Sequence, residues 1–363
     1  MIFYLDGSLK SVDDSNVQPH FVDFMENLCI ARKNGRHIIF SDIPTLEHLA
    51  QINSLGQRTC ATLVKVSKRV RGKLAIFESC TTYVRVVAMS GTFRKLVLPN
   101  GKEEIQVSSD VITSDEFFYK TRFLVENRTD GLFYGGLAML ALRREANWQN
   151  VHLNYEIVAG GGSQTPREYG NLKSTQQLTL CMVDSDVDFD GASYGNNTAA
   201  PIYAMDQATP PVTSKSIILN CYSAENLIHP VLLKHALKLN GRENWYIQIS
   251  DYFKQDFWMF LALKQQKTCM DFSPNTPKGS YWHAKRTSFP TLASHPICVT
   301  NHCATFTPLA SVTLSRVAIH LQENNFPYLS DIVFDEHSLF SEWAAVSRNL
   351  FSWACSGDRM SSV

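Results

Sequence analysis

The stretch Leu178-Thr179-Leu180-Cys181-Met182-Val183-Asp184-Ser185-Asp186 is an apolar run that ends in two carboxylates one residue apart. It reads as a strand, and the segments around it give it a context. Upstream, Phe123-Leu124-Val125-Glu126 is another strand ending in a carboxylate. The turn Thr129-Asp130-Gly131 then leads into Leu132–Arg144, rich in Leu, Ala and Met and predicted helical. Between the two lies a strand at Val151–Val158, closed by Gly160-Gly161-Gly162-Ser163. Downstream, Asp188–Ser214 is rich in Gly, Ala, Asn, Thr and Pro and reads as a long loop, followed by a strand at Ile217–Leu219 and a helix through Ile228–Leu239. Strands alternating with helices point to an α/β fold with a parallel sheet. The carboxyl ends of such strands share one edge, so Glu126, Asp184 and Asp186 are expected to converge there. Their charges repel unless a cation intervenes. Oxygen-only ligands favour Mg²⁺ or Mn²⁺, which complete their shells with phosphate oxygens, so the implied substrate is a phosphate ester.

With 363 residues, 44% hydrophobic and 19% charged, the chain has the composition of an ordinary globular protein of about two domains. No apolar run approaches the roughly 18 to 20 residues needed to span a bilayer. Met1–Asp6 is too short and too acidic for a signal peptide, so a cytoplasmic location and no membrane partner are expected. The nine cysteines are an odd number spread over the whole chain, which suggests reduced, mostly buried thiols. Because the net charge is zero, any nucleic-acid binding has to come from a local basic patch or a metal site. Lys65, Lys68, Arg69, Arg71 and Lys73 form one candidate patch; a solvated face or a dock for an acidic partner explains them as well.

Ahead of these motifs, Ile2–Leu5 and His37–Phe40 read as strands, and His20–Asn34 and the segment from Pro44 to Gly56 as helices. The β-branched clusters Thr62–Val66, Leu74–Phe77 and Tyr83–Val87 read as strands, and Pro99-Asn100-Gly101 as a hairpin turn before Ile105–Val107. The polar stretch Ser108–Asp115 marks a boundary, which divides the chain into an accessory α/β or α+β domain (1–115), an α/β domain (116–240) and a mixed, largely helical extension (241–363). In the last of these, Trp343, Val346, Leu350 and Trp353 share one helical face.

The acidic loop has other readings. From Asp186 the spacing Asp186, Asp188, Asp190, Gly191 copies the first half of an EF-hand loop, but the twelfth position, where a bidentate Glu is required, is Asn197. An aspartyl-phosphate phosphatase also places Asp-x-Asp after a strand, yet leaves Glu126 unexplained. The acids could equally be a solvated loop, with Glu126 a helix cap. His295, Cys298, His302 and Cys303 are side chains that zinc favours, in a spacing that fits no paired knuckle. Asp6, Asp23, Glu26 and Asp42 are scattered acids of the kind a PIN-type nuclease carries.

Several elements taken in order resemble one family. Leu124-Val125-Glu126-Asn127-Arg128-Thr129-Asp130-Gly131 resembles the first strand and helix of TOPRIM domains, and Met182-Val183-Asp184-Ser185-Asp186 resembles their Asp-x-Asp strand. Cys221-Tyr222-Ser223-Ala224-Glu225-Asn226-Leu227 is similar to a segment of a bacterial branch linked to OLD-type and PARIS-type phage defence. Asn127 stands where that family usually has glycine. The resemblance implies a Rossmann-like, mainly parallel TOPRIM domain and a Mg²⁺- or Mn²⁺-dependent endonuclease of DNA or RNA, tRNA included. Glu126, Asp184 and Asp186 would be catalytic and metal-binding, with Asp130, Glu225 and Asp188 secondary. No Walker-type phosphate loop occurs, so a controlling ATPase or inhibitory partner is expected on another chain, and homo-oligomerisation stays open. The competing expectation is a non-catalytic module that keeps the TOPRIM shape for binding.

Overall fold

A computed structural model of the chain describes residues 1–144, 151–237, 243–289, 306, 308–322, 332 and 337–360. It contains two main sheets. The first is built from β1 (Ile2–Leu5), β2 (Ile38–Phe40), β3 (Thr82–Val86), β4 (Phe93–Val97) and β5 (Glu103–Val107), in the order β2-β1-β3-β5-β4. All neighbours are parallel except β4 and β5, the expected hairpin. Gly101, with φ +78°, supplies the left-handed residue of its turn.

The second sheet comprises β6 (Thr121–Val125), the two-residue β7 (His152–Leu153) standing apart from it, then β8 (Tyr155–Ala159), β9 (Thr179–Val183) and β10 (Ser214–Ile218). Its order is β10-β9-β6-β8, and every pair is parallel. The mixed α/β architecture with a parallel sheet is therefore as expected. The run predicted as one strand over Val151–Val158 is divided, because β7 pairs antiparallel with β11 (Cys355–Ser356) instead of joining β8.

Strand alternation explains how this sheet is covered on both faces. Phe123, Val125, Leu180 and Met182 enter the main core, while Leu124, Cys181 and Val183 pack with Tyr169, Leu172 and Ile202 on the other side. Both central strands must therefore be apolar at consecutive positions, which is why they stand out in the sequence.

In chain order the helices begin with α1 (Pro19–Lys33), α2 (Ile43–Leu49), α3 (Gly56–Ser67) and α4 (Leu74–Ser79). Here two expectations fail: Thr62–Val66 and Leu74–Phe77 are helical, not strands. Thr59, Thr62, Leu63 and Val66 are the buried residues of α3, a spacing of three and four that burial turns into a helix against the strand propensity of the β-branched residues. The segment Asp188–Ser214 is not all loop either, since α7 lies within it. After α5 (Arg128–Arg144) and α6 (Thr165–Lys173), α7 (Ala199–Ala208) covers the second face together with α6. On the first face α5 packs against the helices Thr313–Gln322 and Ser338–Ala354. As expected, Trp343, Val346, Leu350 and Trp353 are all buried. Among the described residues six cysteines are free thiols, but Cys269 is disulfide-bonded, which departs from the expectation of reduced thiols. No helix among the described residues is long and apolar enough to cross a membrane.

Helix α5 passes close to its neighbours because of two consecutive glycines. A Cβ at Gly135 would lie 2.0 Å from the Tyr155 hydroxyl, and one at Gly136 would lie 2.6 Å from Leu321 Cβ. By contrast, a Cβ at Gly170 in α6 would meet only Met205 Sδ, at 3.6 Å. Alanine favours a helix over glycine by about 1 kcal/mol, whereas overpacking costs about 1–3 kcal/mol. Gly136→Ala is therefore expected to lower the urea midpoint and Gly170→Ala to leave it unchanged or raise it; equal effects of the two would contradict this account of the packing.

Candidate active site

The edge formed by the carboxyl ends of β6 and β9 carries the acids. Val125 pairs with Met182, so Glu126 and Asp184 leave neighbouring strands at nearly the same level. The Asp184 backbone N–H donates to Glu126 Oε1 at 3.3 Å. Asp184 Oδ1 also accepts the backbone N–H of Ala224 at 3.0 Å and the Tyr134 hydroxyl at 3.4 Å. Asp130, in the first turn of α5, is buried and accepts the Asn127 N–H at 2.9 Å. Tyr134 is one helical turn beyond Asp130, so α5 brings both to the same edge.

The backbone around the acids is tightly specified. Gly161 and Gly162, with φ of +77° and +63°, carry the chain past Glu126, whose carbonyl accepts their N–H groups at 2.9 and 3.3 Å. The Gly160–Gly162 turn is thus a brace for the β6 end. Asp186 is the sole non-glycine residue with positive φ among the described residues, at 53°. Asp is among the residues that tolerate this region, and such conformations gather at functional sites. Asn127 has no positive φ, so this turn does not need a glycine's freedom.

Glu225 is 4% exposed, accepts the Ser223 hydroxyl at 2.8 Å and forms an ion pair with Lys264 at 3.1 Å. Its neighbour Asn226 is a structural clamp, with its side-chain N–H groups on the Trp258 and Leu261 carbonyls at 2.6 and 2.9 Å. Asp188, near Asp186, is ion-paired with Lys278. Lys264 and Tyr134 belong to this site and were not singled out in the sequence. Tyr134 could have been found from its spacing to Asp130; Lys264 lies about 40 residues past the last acidic motif and carries no local signal.

This crowding and burial shift the acids' protonation. Burial, then Asp186 and Asp130, push Glu126 up to about 7. Asp130 is pushed up to about 6, mainly by burial and with a contribution from Glu225. Asp184 is raised well above the usual carboxylate range by burial and by Glu126, Asp130 and Glu225, and Asp186 is raised by burial, with Lys264 opposing. Among the described residues, no group of three or more His, Cys, Asp or Glu side chains is arranged to hold a metal ion. The donors nevertheless suit a hard divalent cation in their chemistry: carboxylate oxygens whose mutual repulsion, once they are ionised, a cation would relieve.

Other candidates lie elsewhere. Lys65, Lys68, Arg69, Arg71 and Lys73 are on α3 and the turn after it, beside the first sheet and not on the elements bearing the acids. Asp6 is ion-paired with Arg85, and Asp42 caps α2 through the Thr45 N–H at 2.7 Å, so both PIN-like acids at that sheet edge have structural partners. Asp23 and Glu26 are exposed on α1. His295, Cys298, His302 and Cys303 lie outside the described residues. Asp186 follows a strand and not a helix, unlike the first ligand of an EF-hand. No family model matches the chain, and no match is found among curated proteins or solved structures.

The raised acids make stability depend on pH. Glu126, moved from 4.5 to about 7, keeps a proton in the folded state that the unfolded chain has already released. Stability must therefore fall as pH rises through that window. In EDTA, Glu126→Gln is expected to flatten the decline of Tm between about pH 5 and pH 8 and to melt above the wild type at the upper end. A variant that melts lower than wild type at pH 8 would show that the carboxylate is a structural support.

Proposed function

We propose that this chain is a divalent-metal-dependent phosphodiester hydrolase of the TOPRIM type, an endonuclease of DNA or RNA, tRNA included, acting as a toxic effector in phage defence under the control of a partner such as a separate ATPase or inhibitor. The observation that carries this reading is the side-by-side placement of Glu126 and Asp184 at the ends of adjacent parallel strands, with Asp186 two residues on and Asp130 at the start of α5. The strand order supports it: β6, the first strand of this sheet in chain order, leads into Glu126, lies in the sheet's middle and neighbours β9, which leads into Asp184.

Glu126, Asp184 and Asp186 would hold Mg²⁺ or Mn²⁺, with Asp130 and Glu225 behind them. Bound there, the metal would polarise the scissile phosphate and lower the pKa of a water. The chain's own groups contribute the rest. Without a cation Glu126 is held up to about 7, so it has to give up its proton before a metal can bind. The Ala224 N–H and Tyr134 hydroxyl fix the orientation of Asp184. Lys264 offsets part of the negative charge that would otherwise repel a polyanion.

One observation favours the second reading, a binding module without catalysis: the ammonium of Lys264 already sits against Glu225 as a cation belonging to the protein. Incubating the chain with supercoiled DNA, single-stranded DNA and total RNA, in Mg²⁺, Mn²⁺ or EDTA, separates the two. Metal-requiring cleavage that drops at least about a hundredfold in Asp184→Asn, more than loss of a supporting residue usually costs, is expected. Cleavage that persists in EDTA or in the variant would overturn the metal-site assignment. No cleavage of any substrate, with no rise in Tm on adding Mg²⁺, would favour the binding module.

A further inference from the structure

The loop that carries Asp184 and Asp186 also walls a cavity of about 540 Å³, within the usual size of a small-ligand pocket. Ser185, Asp190, Tyr194, Asn196, Tyr203 and Phe260 are among the residues that line it. Two contacts tie it to the acids. Ser185 lies between Asp184 and Asp186, and its carbonyl accepts the Gly195 N–H at 2.8 Å. At Gly195 a Cβ would come within 2.6 Å of the Asp186 side chain, so the loop folds back directly onto that carboxylate.

The tyrosines are the unusual feature. Tyr194 is 37% exposed and Tyr203, on α7, is 48% exposed, with ring centroids 5.6 Å apart and planes inclined by 59°. Large aromatic rings left in solvent beside a cavity offer π faces to a flat ligand. The same walls carry hydrogen-bonding groups in the Asn196 amide and the Ser193 hydroxyl, while exposed Asp190 adds an acceptor that repels a phosphate. A neutral planar heterocycle with donors and acceptors on its edge satisfies all three conditions, whereas an anion does not.

We infer that this cavity receives one unpaired nucleobase of a single-stranded nucleic acid, stacked on Tyr194 or Tyr203, next to the phosphodiester presented to Glu126, Asp184 and Asp186. This rests on the hydrolase reading for the phosphodiester, but not for the base pocket itself. A base inside a duplex has both faces covered by its neighbours, so the pocket selects single strands or locally unpaired segments.

The test is equilibrium binding in EDTA, followed by fluorescence anisotropy with the full chain. The probes are short labelled single strands of DNA and RNA, an abasic strand of the same length and a hairpin duplex. The single strands are expected to bind at least about tenfold more tightly than the abasic strand or the duplex. Tyr194→Ala or Tyr203→Ala should weaken single-strand binding by about five- to a hundredfold. The corresponding Phe variants should bind within about twofold of wild type, which separates lost stacking from lost folding. Equal binding of the abasic strand, or Ala variants of both tyrosines that bind like the wild type, would overturn the pocket. Cleavage of the same strands by the same variants, measured with Mg²⁺ or Mn²⁺ in place of EDTA, keeps the two ideas apart. Cleavage without tyrosine-dependent binding removes the pocket and leaves the hydrolase, and tyrosine-dependent binding without cleavage does the reverse.

Discussion

Crowding negative charge at one end of two adjacent parallel strands is unfavourable, and the second half of this protein is organised around that constraint. Glu126, Asp130 and Asp184 are held up by burial and by the acids around them, Asp186 and Glu225 included, and Lys264 is a cation that faces them. A sheet edge chosen only for stability would not gather these acids under partial burial, where each charge loses hydration without a full complement of partners. Clusters of groups with perturbed protonation mark functional sites more often than structural ones.

The scaffold holds that arrangement from several directions. Coverage of both faces leaves β6 and β9 no freedom to slip register, because a one-residue shift would exchange residues between two different cores. The glycine turn after β8 grips the Glu126 carbonyl, and the capping box at Ser223 and Asn226 fixes the segment that presents the Ala224 N–H to Asp184. Asn226 then ties this segment to the Asp256–Phe260 turn, a few residues before Lys264. The counter-charge is thus delivered by the same hydrogen bonds that position the acids.

Much of this could be read in the sequence, for a reason that also explains the misses. Buried central strands must be apolar throughout and stop at the sheet edge, so Phe123–Val125 and Leu178–Val183 announce both their position and the acids that follow. The last helix was equally clear, since Trp343, Val346, Leu350 and Trp353 recur at helical spacing. Where β-branched residues lie on a helix, as in Thr62–Val66, local propensity points the wrong way and only the tertiary burial of Thr59, Thr62, Leu63 and Val66 decides. Helix α7 was hidden because Ala199-Ala200-Pro201 follows a loop of similar composition. Lys264 and the Tyr194–Tyr203 pair depend on chain segments meeting in space, and no local pattern records such a meeting.

The central claim is that these carboxylates form a cation site. The most direct measurement is a crystal structure of the chain soaked in Mn²⁺, with data collected for anomalous scattering. The account predicts an anomalous peak within coordination distance of Glu126, Asp184 and Asp186, absent from crystals of the Asp184→Asn variant. An edge without any peak, with the Lys264 ammonium still against Glu225 as the sole cation there, would contradict it.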